Sequence, residues 1–256
     1  MNKKLALLVC FLTVLGIRIQ AQEYTPIVGF YIGGNFHNVG ITKALYYDDS
    51  EPIALTNPET NAVTGYMYRE IKNPSVSVGA GLVVGAFYEY MFNDFLGVQA
   101  ELLGCKNGYH ISGNVTQPNT SDTTTYKYYG NVKAISIDLA CLLKIHLIED
   151  RLNIDLGVQP SYCLRLTKET KIDQHQSVIS YTTDEYSPFN CSAIIGATVF
   201  VYDNIFVSAR YNFGFIDLLK AKEPYYDEAA EAVAYKYTNT PSATRSLTFS
   251  IGYKIM

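Results

Sequence analysis

A period of two runs through this chain. Val76, Val78, Ala80, Leu82, Val84, Ala86, Tyr88 and Tyr90 alternate with Ser77, Gly79, Gly81, Gly85 and Glu89. Ile135, Ile137, Leu139, Cys141, Leu143, Ile145 and Leu147 alternate with Ser136, Asp138, Ala140, Leu142, Lys144 and His146. Leu152, Ile154, Leu156, Val158, Pro160, Tyr162 and Leu164 alternate with Asn153, Asp155, Gly157, Gln159, Ser161, Cys163 and Arg165. The pattern recurs at about 27–38, 95–108, 189–202, 205–216 and 245–255. Successive side chains of a strand point to opposite faces, so each run reads as a strand with one apolar face and one small or polar face. The count is eight strands.

The connections divide into two kinds. Asn93-Asp94, Glu149-Asp150-Arg151 and Asp203-Asn204 are tight turns, whereas about 39–75, 109–131, 167–188 and 217–244 are long and polar and read as loops. An even number of strands with short turns at one end and long loops at the other is the layout of a transmembrane β-barrel of the outer-membrane type, turns in the periplasm and loops outside. A soluble eight-stranded barrel also alternates, with its apolar face inward. Against it, the polar face here is rich in glycine (Gly79, Gly81, Gly85, Gly97, Gly157, Gly196, Gly214, Gly252), which suits a crowded interior and not a solvated surface. The apolar face carries Tyr88, Tyr90, Phe189, Phe213, Phe215 and Tyr253 near strand ends, as membrane-interface girdles do. In lipid every backbone N–H and C=O must pair within the protein, so the strand at 245–255 must close on the strand at 27–38.

Residues 1–21 are read as a secretory signal peptide: Lys3 and Lys4, an apolar stretch of 13 residues from Leu5 to Ile17, and Ala21 before the cut. The domain proper is then 22–256. Its removal takes three of the 20 Lys and Arg and leaves 17 against 24 Asp and Glu, a net of −7. That balance excludes the basic stripe of a nucleic-acid binder. Cys10 lies inside the apolar stretch and gives no lipoprotein signal.

At this point three stretches resemble the PorT-like outer-membrane β-barrel family of the Bacteroidota: Ile135-Ser136-Ile137-Asp138-Leu139-Ala140-Cys141-Leu142-Leu143-Lys144, Ser208-Ala209-Arg210-Tyr211-Asn212-Phe213-Gly214-Phe215 and Ser250-Ile251-Gly252-Tyr253-Lys254. The resemblance covers most of 24–255. It implies localisation in a Gram-negative outer membrane and, through PorT itself, an accessory role in type IX protein secretion. It brings no catalytic residues.

Glu89, Gln99, Glu101, Asp138, Lys144, His146, Asp155, Gln159, Arg165, Arg210 and Lys254 should all point inward by alternation. An unpaired charge in a narrow lumen is expensive, so Glu101, Asp138, Lys144, Asp155, Arg165 and Arg210 are expected to form a structural ion network that fills it. Arg210 is its expected hub, facing Glu101, Asp138 or Asp155. The alternative use of such a network is a proton or small-ion path. Cys105 and Cys163 should face inward, and Cys141 and Cys191 lipid, on strands too far apart for disulfides. No Cys or His spacing suggests a metal, and no cofactor is expected.

Some eight-stranded barrels act on lipid A with a His and a Ser near the outer rim. His37, His110, Ser112 and His175 are the only groups here that invite that comparison, and no nucleophile–base–orienter set can be drawn from them. The expectation is a non-enzymatic, monomeric barrel whose partners are outer-membrane lipids and, through the loops, envelope or secretion proteins or surface ligands. Tyr46, Tyr47, Tyr225 and Tyr226 are the candidate loop contacts, since tyrosine offers a large contact area at little entropic cost. Residues 226–236, with alanines among the acids, read as a short helix.

Overall fold

Alternation of this kind has to be satisfied by pairing, and the pairing closes on itself. The computed structural model describes residues 26–38, 47–56, 63–116, 125–148, 151–172, 175–180, 186–215, 221–227, 232–238 and 244–255. The signal-peptide reading of 1–21 and the loop residue Tyr46 lie outside them. The strands are β1 (Ile27–Asn38), β2 (Tyr47–Thr56), β3 (Val63–Met91), β4 (Leu96–Thr116), β5 (Thr125–Ile148), β6 (Leu152–Ile172), β7 (His175–Ser180), β8 (Phe189–Tyr202), β9 (Ile205–Gly214), β10 (Ala221–Asp227), β11 (Ala232–Thr238) and β12 (Arg245–Ile255).

Eight of these form an antiparallel ring in the order β1-β3-β4-β5-β6-β8-β9-β12 and back to β1. The closing seam runs from Val28 opposite Ile255 to Asn38 opposite Arg245. At the short-turn end Asn93 Oδ1 accepts from the backbone N–H groups of Phe95 (2.9 Å) and Leu96 (2.8 Å), an Asx turn that lets β3 reverse into β4.

The long-loop end departs from the expectation of irregular loops. β3 to β6 extend well past the lipid-facing rows, β2 pairs with β3, β7 pairs with β6, and β10 and β11 form a hairpin of their own. The described part of 226–236, which ends β10 and begins at Ala232 in β11, is therefore strand and not the expected helix; 228–231 lie outside the described residues. In the extensions the sense of alternation inverts. Lower on β5, Ile135, Ile137 and Leu139 are exposed while Ser136 and Asp138 are buried; higher up, Tyr128, Val132 and Ala134 are buried, with Lys127, Tyr129 and Asn131 outside. Apolar groups seek the outside where lipid surrounds the sheet and the inside where water does. The upper interior is a cluster of Ile71, Tyr109, Ile111, Val115, Tyr128, Val132, Ala134, Cys163, Leu166 and Tyr186.

Two bulges re-phase the strands between the halves. Opposite Ile135 and Ser136, β6 supplies Arg165 and Cys163, so Leu164 is the extra residue, and Leu164 and Arg165 both face outward. On β3 the three residues 79–81 stand opposite 107–108 of β4, and beyond this bulge Val76 packs against the upper cluster and not toward lipid as simple alternation had it. A Cβ on Gly79 or Gly81 would lie 2.2 or 2.0 Å from the carbonyl oxygen of Gly108 or Lys106, so only glycine lets the two strands approach this closely there.

Candidate functional site

The lumen is layered. Nearest the short turns is an aromatic plug: the Phe206 ring lies 5.6 Å from Phe87, 5.7 Å from Phe200 and 6.5 Å from Tyr31, centre to centre. Glu89 Oε1 and His146 Nε2 stand 3.2 Å apart in the same half.

Above the plug, Arg210 spans the barrel. From β9 its Nη1 donates to Glu101 Oε2 on β4 at 2.6 Å, directly across the ring, and its Nε to Asp155 Oδ2 on β6 at 3.2 Å. Both carboxylate side chains are fully buried. Asp155 is also held by Lys144 Nζ at 3.1 Å from β5 and by the Thr198 hydroxyl, which donates at 2.8 Å from β8. Glu101 accepts from the Tyr31 hydroxyl at 2.8 Å and from the Gln99 side-chain amide. The guanidinium carbon lies 5.5 Å from the centre of the Tyr31 ring, a cation–π geometry. Two cations and two carboxylates thus balance, and six of the eight ring strands are tied together across the lumen.

The residues named from sequence distribute unevenly. Arg210, Glu101, Asp155 and Lys144 come together. Asp138 does not reach Arg210; its Oδ2 accepts from Gln159 Nε2 at 2.7 Å. Arg165 is a correction: the Leu164 bulge turns it to the outer face, where it joins no lumen network. Lys254 is half-buried, its ammonium 5.7 Å from the centre of the Phe200 ring. Tyr31 and Thr198 were missed, although Tyr31 shares a face of β1 with Gly29, Gly33, Asn35 and His37, a signal that was available. Tyr47 falls on β2, and Tyr225 and Tyr226 fall on β10; their side chains are outside the described residues. Cys105 and Cys163 are buried, Cys141 is exposed and Cys191 lies between.

Between the Arg210 layer and the long-loop end the lumen is not filled. A cavity of mixed lining opens there, bounded by Asn35, His37, Asp138, Gln159, Ser246 and Leu103 among others. His37 is buried on this inner face with its ring 6.1 Å from that of Tyr109, whereas His110 is exposed on the outer wall and Ser112 is half-buried. The structure does not bring His37 and Ser112 together. On the outer wall Lys133 Nζ lies 2.5 Å from Glu169 Oε1, and this hydrogen bond holds the carboxyl below the usual glutamate range.

A closed antiparallel ring with an apolar outer band and a polar, charge-balanced interior defines a transmembrane β-barrel. The family described as outer membrane protein beta-barrel domain matches residues 20–220. This chain belongs to that family, and it is an outer-membrane protein. Among solved structures it is similar to Ail, the attachment invasion locus protein of Yersinia pestis (10% identity, 91% of this chain and 100% of that one, TM-score 0.41). It is also similar to OprG of Pseudomonas aeruginosa (13% identity, 89% and 95%, TM-score 0.38) and to Neisserial surface protein A (14% identity, 88% and 96%, TM-score 0.32). No curated protein matches it by sequence.

Proposed function

We propose that this is a non-enzymatic, monomeric outer-membrane barrel, exported by a cleaved signal peptide, whose lumen is shut and whose interactions are made at the long-loop end on the cell surface. The observation that carries the reading is the Arg210 layer. Its ion pairs cross the full width of the ring and rest on a plug of aromatic side chains, so a solute has no continuous aqueous path. Eight strands leave an interior that side chains can fill. What remains for contact is the raised wall of β3–β6, with the hairpin of β10 and β11.

Planar-bilayer recording tests it. The folded chain should give no stable, large-solute conductance, and steady openings at the nanosiemens level would sink the closed-lumen reading. The secretion reading rests on the PorT-like resemblance of 135–144, 208–215 and 250–254. It is separated by comparing secreted and surface proteomes of wild-type and deletion strains: a defined set of cargo held in the periplasm would favour secretion, and matching proteomes would favour surface contact.

A further inference from the structure

We infer that the cavity above the Arg210 layer is a binding pocket for a small hydroxylated amine, of the amino-sugar class, entered from the long-loop end. The floor is closed and electroneutral, because Arg210 and Lys144 are matched by Glu101 and Asp155. Asp138 stands outside that balance. It is 3% exposed, lines the cavity, and takes part in none of the ion pairs among the described residues. One carboxylate oxygen accepts from Gln159; the other, Oδ1, has no hydrogen-bond partner among the described residues.

Four further groups on the same cavity, Asn35, His37, Ser136 and Asn212, share this condition. Asn35 and His37 are each 5% exposed, and Asn35 Oδ1 and His37 Nε2 lack partners among the described residues. One N–H of the Asn35 amide is committed to Asn107 Oδ1 at 2.5 Å, and its Oδ1 is left as an acceptor on the cavity. A buried carboxylate without a cation and a buried amide oxygen without a donor are both costly unless something fills the space. The missing complement is therefore a donor that carries positive charge, and a protonated amine supplies both. The remaining wall mixes hydroxyl and amide groups, Ser192, Ser246, Thr248 and Asn212 among them, with apolar ones such as Val83, Leu103, Ala134 and Pro188. Such a lining offers donors and acceptors at many angles, which suits the hydroxyls of a sugar or polyol frame. A bare metal ion fits less well, since no cluster of three or more His, Cys, Asp or Glu side chains occurs among the described residues.

The test is calorimetric titration of the folded full-length barrel in detergent with D-glucosamine below the pKa of its amine, with D-glucose as the uncharged control. Wild type should bind D-glucosamine saturably, and D-glucose about tenfold more weakly or worse, the factor set by about 1.4 kcal/mol. Asp138→Asn keeps the acceptor for Gln159 and removes the charge, and should lower glucosamine affinity by at least the same factor. Ser246→Leu, which fills the cavity without altering charge, should abolish binding. Absence of saturable heat in the wild type, equal binding of the two sugars, or an unchanged affinity in folded Asp138→Asn would each overturn the pocket. Should Asp138→Asn fail to fold, the wild-type sugar comparison and Ser246→Leu decide. Conductance is read separately, so loss of this pocket leaves the closed-lumen reading standing and the reverse holds too.

Discussion

Arg210→Ala is the perturbation that bears hardest on the barrel's interior. At an effective dielectric of about 20, unit charges at the observed 2.6 and 3.2 Å attract with roughly 6 and roughly 5 kcal/mol before desolvation is counted. Burying a guanidinium offsets most of that, so the net worth of the pairs is far smaller than their sum. Deleting one partner is a different matter, because the carboxylates stay behind without it. Asp155 would keep Lys144 and Thr198, but Glu101 would keep only the neutral Tyr31 and Gln99 donors. The expected loss is therefore about 3–5 kcal/mol, the usual cost of stranding a buried charge, and it should arise mainly from Glu101. Reversible urea unfolding in lipid vesicles reads it, with heat-resistant migration in SDS as a second measure. Adding Glu101→Gln to Arg210→Ala should return a large part of the loss, since the stranded charge is then gone. A single-variant loss under about 1 kcal/mol, the scale of an exposed pair, would refute the claim that Arg210 organises the lumen, as would strict additivity of the two substitutions.

Three further outcomes follow from the geometry. In Gly252→Ala the new Cβ would stand 2.1 Å from the Phe206 ring, which is itself hemmed by Phe87 and Phe200, and should cost about 1–3 kcal/mol; Gly34→Ala, with nothing within 4 Å, should leave the urea midpoint unmoved. Leu139→Arg, at a position 50% exposed within the lipid band, should cost about 2–4 kcal/mol of vesicle-measured stability, whereas Lys133→Leu above the band should cost little. Because Lys133 depresses the Glu169 carboxyl, that pair contributes above the unfolded glutamate value of about 4.3 and loses its contribution as pH falls through the lower folded value. An NMR titration of Glu169 should show this depression, and Lys133→Met should raise the carboxyl back toward the ordinary range, the Asn131 amide keeping a smaller part of the lowering.

The ring strands and the hub partners were legible because parity is a strict rule while a strand stays regular. Counting by twos places Glu101, Asp155, Lys144 and Arg210 on one face, and a narrow ring leaves them only each other. Parity fails at an extra residue, which is why Arg165 was read inward and Val76 outward: a bulge leaves no mark in alternation beyond a glycine pair or two adjacent outward residues. The raised wall was misread for another reason. Tyr109, Ile111 and Val115 alternate with His110, Ser112 and Asn114 as regularly as any membrane strand, but with the apolar residues inside, and a pattern sought only as apolar-outward passes over it. The cavity was invisible from sequence because its emptiness depends on how small side chains of β1, β8, β9 and β12 add up in three dimensions.

The outward charges of the raised wall have one more effect. Lys106, Lys127, Lys133, Arg165 and Lys171 stand on the outer side of three neighbouring strands just beyond the lipid-facing rows. For the barrel to slip back toward the periplasm, these charges would have to enter hydrocarbon one level after another, each at about 0–1 kcal/mol near the interface and rising to about 2–4 kcal/mol at the midplane. Once seated, the chain is held by a pawl of its own: the charged collar opposes a return through the membrane for as long as the strands remain paired.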